Sequence, residues 1–412
     1  MMASAKDNPK GLTITSYQVG FGDCFLLSFR YPSGDRHVLM DFGTKFRSQT
    51  GFKADMAGIA RQIAADCGGK LTMVIATHRH YDHISGFQTS TTGTASGDII
   101  RGLKPDRVLQ PWTEIPGLAT DAIEPTPAQL HAQNLVNMQA LAEAVAFRPA
   151  SLMAARGPQP GEVDFVGSNN ITNASAVRSL MTMGRLKPRY LQLGSPLDVS
   201  ALLPGVALQV LGPPTIKQAQ AAGQNLMKYA ASSSEYWKFQ AAASAQGVPS
   251  ASRLALKGRR RAVPPQARWF ARRLTQVRED GLLQIVRTLD DTINNTSLIL
   301  LMTIGSTKLL FPGDAQLENW MCALKDPKNV ALLADVNVYK VGHHGSCNAT
   351  PVSLWNNFSK RHNKSLKTFV STRPGEYSGV PRPSLAAALK SESQLTSTAD
   401  LKAGVRSVQI QI

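Results

Sequence analysis

The segment Thr77-His78-Arg79-His80-Tyr81-Asp82-His83 places four metal-ligand side chains within six residues, directly after Leu71 to Ala76. That preceding run, rich in branched aliphatic residues, predicts a buried strand. Neutral imidazoles and a carboxylate suit Zn²⁺, Mn²⁺ or Fe²⁺, and a loop at a strand end can turn alternate side chains towards one point. A histidine-rich surface loop is the rival reading. It is weakened by two later segments, Phe311-Pro-Gly-Asp314 and Val341-Gly-His343-His344-Gly345-Ser346, each of which ends an apolar run with a glycine-flanked ligand. Five of the eight histidines (78, 80, 83, 343 and 344) fall in these two clusters. A core that merely tolerates imidazole would not concentrate them so, and coordination is the economical explanation. Two metals could share the first cluster, with His78 and His80 on one and Asp82 and His83 on the other.

Alternation and turn residues supply the surrounding elements. Leu12 to Val19, Cys24 to Phe29 and His37 to Met40 read as a β-meander, followed by a helix over Ala54 to Ala65 that Cys67-Gly-Gly stops. Farther on, Ser297 to Ile304 and Thr307 to Phe311 predict a hairpin about Gly305-Ser306. A helix over Leu317 to Leu324, a strand over Val336 to Val341, and strands over Thr368 to Ser371 and Ser407 to Ile412 complete the block, with a helix near Leu385 to Ser391. No internal repeat of fixed period is visible.

The division expected is 1–87 and 291–412 as two halves of one fold, with 88–290 as a large, partly helical, basic insertion or cap. Helix-prone stretches run over Thr126 to Ala146 and Ile216 to Gln246. Leu208 to Leu211, stopped by Gly212-Pro213-Pro214, reads as a strand, so part of the span is expected in the core sheets. The stretch Arg253 to Arg278 holds nine Lys or Arg and no acid. It interleaves Arg259, Arg260, Arg261, Arg272 and Arg273 with Trp269 and Phe270, a composition suited to phosphates and stacked bases of single-stranded nucleic acid. A solvated helix face or loop is the alternative.

Composition bounds the setting. The 412 residues carry 45 Lys and Arg against 28 Asp and Glu, a net charge of +17 that attracts polyanions, nucleic acid first and an acidic protein partner second. Four scattered cysteines without a CxxC fit a reducing, cytoplasmic compartment. No signal-like apolar run follows Met1 to Lys10, and the longest apolar stretch, Leu298 to Ile304, is far below the roughly 18 residues a membrane helix needs. No membrane association is expected.

The ordered set Val19-Gly-Phe-Gly-Asp23, Leu39-Met-Asp41-Phe-Gly43, His78 to His83, Asn294-Asn-Thr-Ser297-Leu, Phe311-Pro-Gly-Asp314 and Lys340-Val-Gly-His-His-Gly-Ser346 resembles the metallo-β-lactamase-fold hydrolases. Within them it resembles the nuclease-like domain of the ComEC/Rec2 DNA-uptake proteins and its soluble relatives. The resemblance covers 12–87 and 290–412, about half the chain. It implies an αββα sandwich, two divalent metal ions at one edge of the sheets (Zn or Mn), and hydrolysis of a phosphodiester or ester by metal-bound hydroxide. The membrane domains of the uptake proteins are absent, so transport does not carry over. The sequence departs from the pattern in three places. The additional ligand histidine usual between the second and fourth motifs has His131 as its only candidate, in a helix-prone stretch. Val380 precedes Pro381 where the uptake family tends to have histidine. Gln18 and Phe21 replace the usual turn residues, a change expected to touch packing more than metals.

On this reading the metal ligands are His78, His80, Asp82, His83, Asp314, His343 and His344, with Asp82, Asp314 and His344 in the catalytic group. Asp314 would bridge, because one carboxylate between two cations about 3.5 to 4 Å apart offsets their repulsion. Asp41 is expected to hold a ligand histidine's other N–H, with a turn cap as the alternative. Asp23 has the same two readings, with the turn cap ahead. Ser346 and the five arginines form the expected substrate side, and Cys347 reads as a buried thiol rather than a ligand. The function expected is a metal-dependent nuclease. A hydrolase of a smaller ester (a lactone, cyclic nucleotide or phosphorylcholine ester) and a non-catalytic nucleic-acid or protein-binding module are the alternatives. The last sits poorly with so many ligands, since a structural zinc site is closed and four-coordinate.

Overall fold

Two mixed β-sheets with helices carry the fold in the computed structural model, which describes residues 8–45, 53–115, 173–224, 293–346, 348–373, 379–402 and 404–412. These belong to one compact unit assembled from three stretches, 1–117, 172–226 and 293–412. The first sheet contains β1 (Gly11–Tyr17), β2 (Cys24–Arg30), β3 (Arg36–Phe42), β4 (Met73–Ile75), β5 (Arg107–Pro111) and β6 (Arg189–Leu191) in that spatial order. The second contains β7 (Val206–Gly212), β8 (Ile299–Ile304), β9 (Thr307–Phe311), β10 (Val338–Lys340), β11 (Lys367–Val370) and β12 (Gln394–Ser397), also in order. The last strand, β13 (Ser407–Gln411), returns to pair antiparallel with β1.

The two sheets repeat one topology. In the first, β1, β2 and β3 pair antiparallel and β3 to β6 pair parallel. In the second, β7, β8 and β9 pair antiparallel and β9 to β12 pair parallel. The strand ends that carry the motifs therefore occupy matching places. Asp41 closes β3 and Asp314 follows β9, while His78 to His83 follow β4 and His343-His344 follow β10.

Strand alternation explains the layers. Phe25, Leu27, Val38, Met40, Met73 and Ile75 of the first sheet share a buried cluster with Leu208, Val210, Leu300, Met302, Leu309 and Phe311 of the second. Phe25 stands edge-on to both Phe311 and Phe369, with ring centroids 6.0 Å apart in each case. The residues between them in sequence face outward, where Leu26, Leu39 and Val74 meet Ile59 and Ile63 of α1 (Met56–Asp66). On the far side Leu301, Leu310 and Tyr339 meet Trp320, on the helix Leu317–Leu324, and Leu333, on the helix Pro327–Ala334. Burying each such side chain stabilises the fold by about 1.5 to 3 kcal/mol before entropy is counted. Being covered on both faces, β4 has no polar alternation to show, which is why it reads as a continuous run.

The meander, the helix stopped at Cys67, the hairpin and the C-terminal strand all form close to their expected places. Three short strands, β5, β6 and β12, were not legible in the sequence. Within the expected insertion, residues 96–115 and 173–224 supply β5, β6 and β7 to the two sheets. The helix-prone stretch 126–146, His131 and the basic run 253–278 lie outside the described residues. Cys24, Cys67 and Cys322 are free and buried, and no helix among the described residues is long and apolar enough to cross a membrane.

Candidate metal centre

The first half of the site is built on Asp41. Its backbone adopts φ 52°, a left-handed conformation uncommon for a residue with a side chain. Its carboxylate ties β3 to the end of β4: Oδ1 accepts from the Thr77 backbone N–H at 2.7 Å and Oδ2 from the Thr77 hydroxyl at 2.7 Å. The same Oδ2 lies 2.8 Å from His83 Nδ1. Because a carboxylate only accepts, the proton must sit on Nδ1 and His83 presents Nε2 to the centre. Asp41 thus stands against His83, one of the histidines predicted as ligands, and its carboxylate is taken up by Thr77 and His83. The loops pass so closely here that a Cβ on Gly43 would lie 2.3 Å from the Asp82 carbonyl carbon and the His83 nitrogen.

The second half comes from the β9 and β10 ends. Gly313 turns with φ 56°, and the Asp314 backbone N–H donates to Ser297 Oγ at 3.2 Å. His343 (φ 44°) and His344 (φ 53°) are both left-handed, followed by Gly345 at φ 88°. Two consecutive non-glycine residues in that region cost of order 1 to 3 kcal/mol each, strain that surrounding structure has to hold in place. His344 Nδ1 donates to the Ser371 carbonyl at 2.8 Å, so this imidazole too presents Nε2 inward. The ring of Phe21 lies 4.2 Å from that of His344, so this turn residue packs on a member of the centre rather than only within its turn.

Four side chains converge. Asp82, His83, Asp314 and His344 are all buried, and their ligand atoms lie within 4.8 Å of one another. His83 Nε2 is 3.0 Å from Asp314 Oδ2, and His344 Nε2 is 3.4 Å from Asp82 Oδ2 and 3.6 Å from Asp314 Oδ2. Yet Asp82 Oδ1, Asp314 Oδ1 and both Nε2 atoms lack a hydrogen bond of proper geometry. Burying polar atoms without partners is costly, and a divalent cation held by His83 Nε2, His344 Nε2 and one oxygen of each carboxylate would offset part of that cost. The donor set fits such an ion: two nitrogens with fixed tautomers and two carboxylates.

The remaining predicted ligands stand around this group. His78 Nε2 is 3.1 Å from His80 Nδ1, so these two imidazoles meet each other, while the His78 ring lies 4.2 Å from that of His83. His343 is at the rim, 21% exposed, with Nε2 3.9 Å from Asp314 Oδ2. The tandem histidines are therefore not equivalent. His344→Ala is expected to weaken metal binding by about 10²-fold or more, and His343→Ala by clearly less, because His344 is buried with Nδ1 held by the Ser371 carbonyl and Nε2 turned to Asp82 and Asp314, whereas His343 sits at the rim. Parallel metal titrations of the two variants check this, and equal losses would remove the distinction. Ser346 is half-buried, its hydroxyl 3.2 Å from Asn348 Oδ1. Arg259, Arg260, Arg261, Arg272, Arg273, His131 and Cys347 lie outside the described residues.

Electrostatics follow from this crowding. Burial opposes ionisation of Asp82, but His344 and His83 outweigh it and hold the carboxyl well below the usual range. Asp314 is held low in the same way, against burial, by His83, His344 and His343. Burial pulls His83 and His344 down, yet the facing carboxylates win and raise both, Asp314 foremost. His78, buried and beside the other imidazoles, is pushed well down and stays neutral. The centre is thus an anionic pocket balanced by imidazole protons, and a cation binding there displaces those protons.

Lys340 and Arg79 carried no expectation as parts of the site, and for Asp23 the turn cap ranked ahead of a place behind a histidine. Asp23 is not a turn cap: it is fully buried and ion-paired with Lys340 Nζ, which also lies 3.7 Å from Asp314 Oδ1. A lysine ending the apolar strand Val338 to Lys340 was the available signal, since lysine is almost never fully buried unless paired. Arg79, inside the histidine cluster, makes a two-pronged bond to Glu114 at 2.9 and 2.8 Å, fastening the ligand loop to the end of β5. No protein-family model matches the sequence, and no curated protein matches it either.

Proposed function

We propose that the chain is a metal-dependent hydrolase of the metallo-β-lactamase fold, cleaving phosphodiester bonds and acting on DNA or RNA. The observation that supports this best is the convergence of Asp82, His83, Asp314 and His344, all buried, with the Nε2 atoms of both imidazoles turned to the carboxylates and without a hydrogen bond of proper geometry. The repeated sheets, with ligand loops at matching strand ends, are consistent with that fold. A second cation would draw on His78, His80 and His343, with Asp314 shared. Divalent ions in this pocket supply Lewis acidity towards a phosphoryl oxygen and lower the pKa of water.

The chain's own residues have separable tasks. Asp41 and the Ser371 carbonyl fix the tautomers of His83 and His344. Asp82 turns Oδ2 to His344 and would hold a cation and orient the attacking group, and Asp314 gathers the imidazoles. Thr77 and Ser297 hold the loops that carry these groups. A net charge of +17 favours a polyanionic substrate, and the five arginines of the basic run, by their composition, would contribute to binding its phosphates.

The test is hydrolysis of single-stranded DNA, duplex DNA, RNA and a small phosphodiester ester, before and after chelation. Cleavage of at least one polynucleotide, lost on chelation and restored by Mn²⁺ or Zn²⁺, is expected. Replacing the five arginines with Gln should weaken polynucleotide binding and flatten its salt dependence by roughly one slope unit per lost phosphate contact, leaving small-ester turnover unchanged. Turnover of the small ester alone would shift the reading to a small-molecule hydrolase.

A further inference from the structure

Behind the four converging ligands lies a second group, Asp23, Asp41 and His83, whose ligand atoms also lie within 4.8 Å of one another. Asp23 Oδ2 is 3.7 Å from His83 Nδ1, and Asp23 Oδ1 is 3.6 Å from His344 Nδ1, so this carboxylate stands directly behind both imidazoles. A cation is already present there. Lys340 Nζ pairs with Asp23, lies 3.5 Å from the Gly313 carbonyl and 3.7 Å from Asp314 Oδ1, and is 2% exposed.

The geometry points to Lys340 as a positioning residue whose ammonium is the tethered cation of this inner group, orienting Asp314 and setting the negative charge that the metal feels. This rests on the metal centre proposed above and concerns what tunes it. Lys340 faces Asp314 Oδ1, leaving Oδ2 turned to His83, His343 and His344. One oxygen is thereby reserved for the metal side. Its charge also cancels that of Asp23, which otherwise would add to the field at the imidazoles or compete as a ligand. A fixed positive charge a few ångströms from a divalent ion repels it, so Lys340 weakens metal binding and leaves the ion less neutralised by its ligands, hence a stronger Lewis acid. Burial opposes the charged ammonium, but Asp23 and Asp314 outweigh it and keep Lys340 protonated.

The experiment compares metal affinity, by competition with a chromophoric chelator for Zn²⁺ and Mn²⁺, in the wild type, Lys340→Met, Asp23→Asn and the double variant. Loss of the positive charge should tighten binding about tenfold, loss of the negative charge should weaken it about tenfold, and the double variant should return to within about threefold of the wild type. An ion pair serving only the fold would lower the melting temperature of both single variants and move affinity in the same direction in each. That result, or a double variant that fails to return, overturns the inference. If Lys340→Met does not fold, Asp23→Asn and the double variant still decide it. A wild-type protein that binds neither metal would instead overturn the metal centre itself, and this inference with it.

Discussion

Asp314→Ala is expected to abolish tight metal binding and to reduce hydrolysis by about a thousandfold while leaving the far-UV circular dichroism close to native. The carboxylate is the hub of the centre: its Oδ2 lies 3.0 Å from His83 Nε2, 3.6 Å from His344 Nε2 and 3.9 Å from His343 Nε2. Without it His83 and His343 lose the carboxylate they face, and Asp82 alone is left among the imidazoles. Lewis-acid stabilisation worth about 4 kcal/mol corresponds, at 1.36 kcal/mol per decade, to that loss of rate. The loop itself should survive, because the Asp314 backbone is held independently through Ser297 Oγ. Asp82→Ala should behave likewise, since Asp82 Oδ2 faces His344 and its Oδ1 has no hydrogen bond. Wild-type turnover in either variant would show that the roles are misassigned.

Asp41→Ala should damage the fold and the centre together. Three buried donors lose their acceptor at once: the Thr77 N–H, the Thr77 hydroxyl and His83 Nδ1. Removing one partner of a buried charged contact costs about 3 to 5 kcal/mol. Alanine also tolerates the left-handed backbone at φ 52° less well than aspartate. His83 would lose the acceptor that fixes its tautomer, a change that lowers metal affinity roughly 10- to 100-fold. Thermal melts with and without metal, and a metal titration, measure both effects. A native melting temperature with native affinity would mean that Asp41 does not hold His83.

The chemistry-bearing loops were legible because their signals are local. An HxHxDH cluster after a β-branched run, and Gly-flanked Asp314 and His343-His344 after apolar runs, announce themselves within a few residues. Long strands and the hairpin about Gly305-Ser306 were legible for the same reason, since alternation and turn chemistry act over short spans. What escaped was nonlocal. The Asp23 and Lys340 pair joins residues far apart in sequence, and an aspartate after Gly20-Phe-Gly looks like a turn residue until the partner strand is in place. Short strands such as Arg189–Leu191 owe their existence to a neighbour's edge more than to their own pattern. The repeated topology of the two sheets left no sequence period, because pairing order constrains only which positions are apolar.

The central claim is that this pocket holds divalent metal, and elemental analysis of protein purified without chelator tests it most directly. About two Zn or Mn ions per chain are expected, or their recovery on rebinding after purification, with both lost in Asp314→Ala. Less than about one ion per chain, with no rebinding of Zn²⁺ or Mn²⁺, would contradict the account.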